Sequence, residues 1–287
     1  MDSERGKAIR LIKVLLFSAS IVPCCLAGAI AHASGAFSWP LFLVLLAALF
    51  LGQAGGDYLY FYFTDGHKDP RDAHTKIFAG WQPLFARVLG KAGTLWAGVA
   101  CLVVDLGIGI AIARTVGPEV LLFALAGGLV AVFFTPLMLR GFKEPVIFVA
   151  FGPLPVAAID YVLTGRIGLE PIVASLPLAF LVTLVAHLKG ARYRVVDRDG
   201  TEIVVKLGRS LVAALAVAAY ASLVAGVGFR VMPTWTLLGL ATLPISIGVV
   251  TAVHGRPNNI ADYLWATVRS IAALVGTGAL MCAGYLI

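Results

Sequence analysis

The sequence predicts an all-α, polytopic membrane protein with about nine transmembrane helices. Its 287 residues are 60% hydrophobic and only 13% charged, and the mean hydropathy of +0.94 lies far outside the range of soluble proteins. The apolar residues fall into runs of about 20, the length that crosses a bilayer as a helix. The basic residues, which give a net charge of +7, lie in short clusters between those runs. This pattern favours charge that sets membrane topology over a surface that binds nucleic acid.

Nine apolar runs account for most of the chain, and residues 1–287 are predicted to form one transmembrane domain. The predicted spans are 11–32, 38–63, 93–113, 118–139, 145–164, 170–188, 210–230, 234–253 and 265–286. Several of these runs contain proline, which a membrane helix tolerates where neighbouring helices satisfy the carbonyl groups left unpaired. The four cysteines fall inside apolar runs without metal-ligand spacing, and we expect them to be packing residues.

The basic residues are distributed very unevenly between the two sides of the predicted spans. With the N-terminus placed in the cytoplasm, 19 of the 22 Lys and Arg fall on the cytoplasmic side, and Arg114, Arg166 and Arg230 fall on the other. Such an excess follows the positive-inside rule. We therefore expect a multi-pass protein of a prokaryotic plasma membrane, with its N-terminus in the cytoplasm and its C-terminus outside.

Three carboxylates stand where the second span leaves the membrane. Stretch 53–72 reads QAGGDYLYFYFTDGHKDPRD and contains Asp57, Asp65 and Asp69. If one helix ran through it at about 100° per residue, Asp65 would lie about 80° and Asp69 about 120° round from Asp57, within one broad face. Carboxylates that converge at the mouth of a membrane cavity suggest a site for a divalent metal ion.

Two of the predicted cytoplasmic loops are unusually long and charged. The first, 64–92, mixes acids with bases, and the second, 189–209, reads KGARYRVVDRDGTEIVVKLGR. They follow spans two and six, which hints at a duplicated four-helix unit, although no residue-level repeat is visible. Such loops suit a diphosphate ester with a long apolar tail, because carboxylates hold Mg²⁺, cations bind phosphate and the tail lies among helices. The alternative is that loop acids only neutralise loop bases at the surface.

Segment 134–188 contains three motifs that resemble one family of membrane enzymes. The motifs are the turn GFKE at 141–144, the run FVAFGP at 148–153 and the sequence YVLTG at 161–165. They are similar to the Gly-Leu-Gly-Glu, Phe-Gly-Pro and Tyr-Val-x-Thr-Gly motifs of the UbiA superfamily of intramembrane prenyltransferases. The similarity is greatest to the 1,4-dihydroxy-2-naphthoate polyprenyltransferase branch of menaquinone synthesis. The first apolar run, FSASIVPCCLAGAIAH, also resembles the first helix of the family.

The first aspartate motif of that superfamily is altered in this chain. It usually reads Asn-x-x-Asn-Asp-Tyr-x-Asp, followed by Gly-x-Asp. Asp57 and Tyr58 match the Asp-Tyr pair. The asparagines and the next aspartate are replaced by Gln53, Gly56 and Tyr60. The resemblance implies that the next two aspartates of the loop supply the later carboxylates after a small shift in spacing.

The second aspartate motif departs further from the family pattern. In the branch it reads Asn-Asn-x-Arg-Asp-x-x-x-Asp, and a Gly-Lys-Arg-Thr-Leu run that ends in Leu-Gly follows it. Alignment on the Leu-Gly pair at 207–208 puts Ala191 and Val195 at the two aspartates. Asp197 or Asp199 can replace them if the loop is shorter than usual. Otherwise this half of the metal site is missing.

The resemblance implies nine helices around one central cavity that opens at the cytoplasmic face of the lipid bilayer. It also implies transfer of a polyprenyl group from a polyprenyl diphosphate to an aromatic acceptor, such as a quinone precursor, with Mg²⁺ as cofactor. The expected metal ligands are Asp57, Asp65, Asp69, Asp197 and Asp199, the first three being catalytic. The expected diphosphate-binding residues are Lys68, Arg71, Lys76, Arg140, Lys143, Arg192 and Arg194. If the second metal ion is lost, Arg192 and Arg194 are expected to bind phosphate directly.

Three other functions are compatible with parts of this pattern. A terpene cyclase on the same fold would ionise the same substrate without an acceptor. A non-catalytic relative would keep the fold and bind a lipid, and the replaced aspartates favour it. A transporter would account for Asp105, a carboxylate in the middle of span three, but not for the motifs in segment 134–188.

Two further acids lie beside the matched motifs. Glu144 matches the glutamate of the family turn, and the alternative is that it only pairs with a nearby cation. Asp160 lies near the outer end of span five, where we expect it at the membrane interface.

Overall fold

A computed structural model describes the backbone of residues 17–64, 82–190, 195–196, 202–203, 208–255 and 260–287. Within these ranges nearly all residues are helical. The helices are α1 Ser18–Ala33, α2 Trp39–Thr64, α3 Gln82–Ala113, α4 Val120–Leu139, α5 Lys143–Ala150, α6 Pro153–Thr164, α7 Leu169–Gly190, α8 Arg209–Gly228, the 3-10 helix Thr234–Thr242, α9 Leu243–His254 and α10 Ile260–Leu286. Two-residue strands β1 Val195–Val196 and β2 Glu202–Ile203 pair antiparallel between α7 and α8.

The all-α, polytopic class predicted from the sequence is confirmed. In the part of the chain that the structure describes, eight stretches are long and apolar enough to cross a membrane, and α1 adds a shorter apolar helix of 16 residues. These nine correspond one to one to the predicted spans. Two of the spans are broken: Lys143–Thr164 consists of α5 and α6, and Thr234–His254 consists of the 3-10 helix and α9.

Helix α7 lies at the centre of the bundle. It packs against α1, α5, α6, α8 and α10. Over the most apolar 18 residues of its span, 67% of the residues are buried inside the bundle, whereas only 11% are buried in the corresponding stretch of α4. The greater burial of α7 reflects its central place in the bundle, because the amino-acid compositions of the two spans are similarly apolar. The two ends of α7 therefore carry residues that face several helices at once. The central cavity that the family resemblance implies stays a prediction.

The Phe-Gly-Pro motif breaks span five where it presses against α7. A Cβ atom added to Gly152 would lie 2.3 Å from Cβ of Ala179 and 2.6 Å from the carbonyl oxygen of Phe148. No side chain fits there without movement of the backbone. Pro153 then starts α6, a position at which its fixed φ suits a helix and its missing N–H costs nothing. The motif is therefore explained by helix packing.

The Tyr-Val-x-Thr-Gly motif ends α6. The hydroxyl of Thr164 donates a hydrogen bond to the carbonyl oxygen of Asp160 at 2.8 Å. Gly165 follows with φ of 69°, and its N–H donates to the carbonyl oxygen of Tyr161 at 2.7 Å. Glycine adopts this left-handed conformation without the steric cost that other residues incur.

Helices α2 and α3 approach closely through glycine. A Cβ atom at Gly55 would lie 2.8 Å from the side chain of Leu102 and 3.2 Å from the carbonyl oxygen of Gly98. Small residues allow such approach between membrane helices. Nearby, the carboxylate of Asp105 lies 3.2 Å from where a Cβ atom of Gly52 would be. Asp105 therefore faces α2, which agrees with a structural role between two helices.

Candidate functional site

Five polar side chains lie within reach of one another near the C-terminal parts of α2 and α7 and the start of α5. They are Asp57, Lys143, Glu144, His187 and Lys189, and we call this group the charged end. Each of the five side chains is partly buried. Gly141, with φ of 91°, forms the turn between α4 and α5 that brings the first two residues of α5 to α7.

Glu144 and His187 form a hydrogen-bonded pair across α5 and α7. Nδ1 of His187 lies 2.9 Å from Oε1 of Glu144, and the side chains are 12% and 28% exposed. An ionised carboxylate only accepts hydrogen bonds, so Nδ1 carries the proton. Nε2 of His187 is buried without a hydrogen-bond partner among the described residues. Glu144 therefore pairs with a nearby basic residue, as one of the two predictions for it stated. The partner is His187.

Lys143 reaches the C-terminal end of α7. Its Nζ donates a hydrogen bond to the carbonyl oxygen of Ala186 at 2.6 Å. The last carbonyl groups of a helix have no partner within the helix, and a lysine side chain can satisfy one of them. An ammonium group has three N–H donors, so this bond uses one of them.

Lys189 brings a second ammonium group to the same place. It is close enough to the carboxylate of Asp57 on α2 and to the ammonium of Lys143 on α5 to interact electrostatically with both. Lys189 therefore lies within electrostatic range of a second ammonium group and of one carboxylate. Such an arrangement attracts an anion that carries more than one negative charge.

Aromatic side chains lie on the same helix faces as the charged end. Phe148 is one turn along α5 from Glu144, and Phe180 is two turns back along α7 from His187. The rings of Phe148 and Phe180 lie 4.8 Å apart between centroids. An apolar, aromatic layer therefore follows the polar groups toward the bilayer interior.

The substituted positions of the first aspartate motif make structural contacts. Gln53 accepts a hydrogen bond from the hydroxyl of Ser20, which joins α2 to α1. Tyr60 packs edge to face on Phe134 of α4, with ring centroids 5.9 Å apart. Two of the altered motif residues thus connect α2 to its neighbours.

The structure brings together two of the predicted site residues, Asp57 and Lys143. Arg140 ends α4 with an exposed side chain. Val195, aligned with the last aspartate of the second motif, lies in β1 opposite Ile203. The other predicted site residues lie outside the described residues: Asp65, Lys68, Asp69, Arg71, Lys76, Arg192, Arg194, Asp197 and Asp199. Among the side chains that are described, no three acids, histidines or cysteines form a metal-binding group.

Sequence reasoning did not single out His187 or Lys189. A signal for the first was present, because the alignment on 207–208 also puts His187 at the first asparagine of the second motif. Lys189 had been counted only among the topology charges. Both act through contacts with α2 and α5, which are distant in the sequence.

Long apolar helices packed around α7, with cations and carboxylates gathered at one end, define a polytopic membrane protein that has a polar site at one bilayer surface. The UbiA prenyltransferase family matches residues 21–282, and the chain belongs to that family. Membership supports prenyl transfer within a membrane, with a prenyl diphosphate and a lipophilic acceptor as partners.

The overall fold is also that of a solved membrane enzyme. The structure of a digeranylgeranylglyceryl phosphate synthase in membranes is similar with a TM-score of 0.57 and 15% sequence identity over 99% of each chain. At this identity the likeness shows a shared fold. A comparison with curated proteins gives no significant match.

Proposed function

We propose that this protein transfers a polyprenyl group from a polyprenyl diphosphate to an aromatic acceptor within the membrane, with Mg²⁺ as cofactor. The observation that carries the proposal is that Lys143, at the start of α5, and Lys189, at the end of α7, lie within electrostatic range of each other, with Asp57 of α2 in range of Lys189. The resemblance of segment 134–188 to the dihydroxynaphthoate branch supports the aromatic acceptor.

The charged end suits a diphosphate bound at the membrane surface. Two ammonium groups provide charge-assisted hydrogen bonds to phosphate oxygens. Both belong to helix ends within a rigid bundle, so they are positioned before the substrate arrives. The apolar helix faces beyond Phe148 and Phe180 would hold the polyprenyl tail.

The oxygen donors at this end are compatible with Mg²⁺. Asp57 offers a carboxylate beside the proposed phosphate position, and Mg²⁺ binds through one or two carboxylates together with phosphate oxygens and water. We propose Asp65, Asp69, Asp197 and Asp199 as further ligands. When bound, the ion neutralises charge that develops on the departing diphosphate.

The proposed reaction breaks one C–O bond and forms one bond to the acceptor. The diphosphate oxygen keeps the electron pair of the C–O bond, and the ammonium groups of Lys143 and Lys189 stabilise that charge. The allylic carbon becomes electron-deficient and is stabilised by the aromatic faces of the neighbouring rings. The acceptor then attacks this carbon and loses a proton.

The test is product formation by the purified protein in lipid vesicles supplied with geranylgeranyl diphosphate. Reactions contain Mg²⁺ or EDTA, with or without 1,4-dihydroxy-2-naphthoate. We expect diphosphate release that needs both the metal ion and the aromatic acceptor. Release without an acceptor would indicate a cyclase, and no release with any prenyl chain length or acceptor would indicate a lipid-binding protein.

Two aspartate-to-asparagine variants test whether the reaction takes place at the charged end. Asp57→Asn should abolish metal-dependent release because it removes a carboxylate from the proposed site. Asp105→Asn is the matched control, since Asp105 is also partly buried but faces α2 from the middle of α3. Equal loss in both variants would contradict a site at the charged end.

A further inference from the structure

We infer that His187 is the base that takes the proton from the acceptor, with Glu144 as its positioning residue. The inference rests on the proposed function and adds the group that completes the reaction. It assigns His187 a role at a motif position where the family pattern has asparagine.

The hydrogen bond to Glu144 determines which nitrogen can act as a base. Nδ1 of His187 donates to Oε1 of Glu144 at 2.9 Å, so the neutral ring carries its lone pair on Nε2. The carboxylate also stabilises the positive charge that the ring gains on protonation. This is the arrangement by which a carboxylate prepares histidine for general-base catalysis.

The position of Nε2 points to a ligand. It is buried and has no hydrogen-bond partner within the described part of the chain, and such atoms are rare in folded proteins. The residue in front of it is Gly208, which precedes α8. A Cβ atom there would lie 3.3 Å from Nε2 and 3.5 Å from Cε1. Among the described residues, Gly208 therefore faces Nε2 with main chain and without a side chain.

For an acceptor to reach Nε2, the main chain at Gly208 has to move aside, and it has no side chain that packs against the ring. The ring also lies on the helix face that leads to the aromatic pair, where the reacting carbon is proposed to bind. Phe180 lies two helical turns from His187 on the same face of α7, and it contacts Phe148, one turn from Glu144. An acceptor that lies on these rings can present its hydroxyl group to Nε2.

Several charged or titratable groups lie on the helices at this end of the bundle. They are Lys143 and Glu144 on α5, Asp57 on α2, Arg209 on α8, Asp262 and Tyr263 on α10, and Lys189 on α7 itself. Glu144 is the acid that is hydrogen-bonded to the ring.

The step balances without any further reactant. The prenyl C–O bond breaks and diphosphate leaves with its electron pair. A ring carbon of the acceptor forms a C–C bond to the allylic carbon while the O–H bond of its hydroxyl group breaks and releases one proton. The hydrogen at that ring carbon then moves to the oxygen and restores the aromatic ring. The released proton moves to Nε2 of His187, and it returns to water after the product has left.

The test compares His187→Gln with the wild-type protein in lipid vesicles, with geranylgeranyl diphosphate and 1,4-dihydroxy-2-naphthoate. We expect kcat to fall by about 100-fold or more, the usual range for loss of a general base. The dissociation constant for geranylgeranyl diphosphate should stay within about threefold, because the diphosphate cations remain. The acidic limb of the pH–rate profile should disappear. In His187→Ala, added imidazole should restore part of the lost rate.

Gly208→Ala tests the same role without removing the ring. The added methyl group presses on the Nε2 edge, so kcat should fall at least about 10-fold while geranylgeranyl diphosphate still binds. Gly248→Ala in α9 is the control, since a Cβ atom there meets nothing within 4 Å. If the His187 variants do not fold, Gly208→Ala alone tests whether His187 acts as the base.

Two results would overturn the inference. One is an unchanged kcat and pH profile in His187→Gln or Gly208→Ala. The other is loss of geranylgeranyl diphosphate binding in these variants together with activity, which would make the pair structural. Failure of the proposed function gives a different result, because the wild-type protein itself would then form no product.

Discussion

The two ends of α7 carry different chemistry. Glu170 and His187 are 17 positions apart, which corresponds to about 26 Å along a helix. The charged end combines two ammonium groups with acids and an imidazole. The opposite end, which consists of Glu119, Asp160, Tyr161, Glu170 and Tyr285, contains acids and phenols.

The groups at the opposite end bind one another or are closed off from solvent. The hydroxyl of Tyr161 donates a hydrogen bond to Oε2 of Glu119 at 2.7 Å. Asp160 is 5% exposed and Tyr285 is 6% exposed, and both lie close to Glu170. Protein covers the side chain of Asp160, because α6 packs this face against α1 and α7, and the expectation that Asp160 lies at the depth of the membrane interface stays a prediction.

The difference shows why only one end suits a diphosphate. The basic residues beside the opposite end are Arg114, Arg166 and Arg230, and all three are exposed in the connections between helices. At the charged end, Lys143 and Lys189 are partly buried and converge on α7. Binding of phosphate requires cations that point to one place, and the bundle provides them at one of its two ends.

The largest expected effect comes from removal of a cation at the charged end. Lys189→Met should lower kcat/KM for geranylgeranyl diphosphate by about 100-fold or more, because one preorganised group that stabilises the leaving charge is lost. Arg166→Met at the opposite end is the control and should leave kcat/KM unchanged. Similar losses in both variants would remove the distinction between the ends.

A smaller effect is expected from the glutamate that holds His187. Glu144→Gln should lower kcat by about 10-fold or more and shift the pH–rate profile, because the amide no longer stabilises a protonated imidazole. Geranylgeranyl diphosphate binding should be retained. Glu119→Gln is the matched control, since Glu119 also accepts one hydrogen bond but does so at the opposite end. A Glu144→Gln variant with wild-type kinetics would contradict the positioning role.

The close contact of Gly152 with α7, between the two ends of that helix, can be tested by adding a methyl group at Gly152. Gly152→Ala should lower the thermal stability of the detergent-solubilised protein, at a cost of about 1–3 kcal/mol, because the new methyl group meets Ala179 of α7. Gly128→Ala in α4 adds a methyl group that meets nothing within 4 Å and should change little. Equal melting temperatures for the two variants would contradict the close contact.

The smallest effect concerns the pH dependence of stability at the opposite end. The hydrogen bond from Tyr161 lowers the pKa of Glu119 from its ordinary value. A depressed pKa contributes stability above the unfolded-state pKa, and that contribution is lost as pH falls through the folded-state pKa. Tyr161→Phe should therefore make thermal unfolding slightly less dependent on acid pH. An unchanged pH dependence in Tyr161→Phe would show that the bond is not formed.

The fold was largely predictable because each span depends on its own hydropathy. All nine predicted spans are present as helices, and the motif at 161–165 lies where α6 ends. The role of Gly152 was not predictable, because a close contact with Ala179 depends on how two helices cross. The short strands at Val195–Val196 and Glu202–Ile203 lie within the predicted loop 189–209.

The candidate site was predictable in part. Asp57 and Lys143 were chosen from local patterns, and both lie at the charged end. His187 and Lys189 act on groups contributed by other helices, and the sequence marks only His187, through its alignment with the first asparagine of the second motif. Tyr60 was read as a lost aspartate, whereas in the structure its ring packs on Phe134 of α4.

The most direct test measures where the diphosphate binds. The dissociation constant of a non-hydrolysable geranylgeranyl thiolodiphosphate should be compared for the wild-type protein, Lys189→Met and Glu170→Gln in lipid vesicles with Mg²⁺. We predict binding that is weakened at least about 10-fold in Lys189→Met, as expected for loss of a charge-assisted contact, and unchanged in Glu170→Gln. Unchanged binding in Lys189→Met with altered binding in Glu170→Gln would contradict the account.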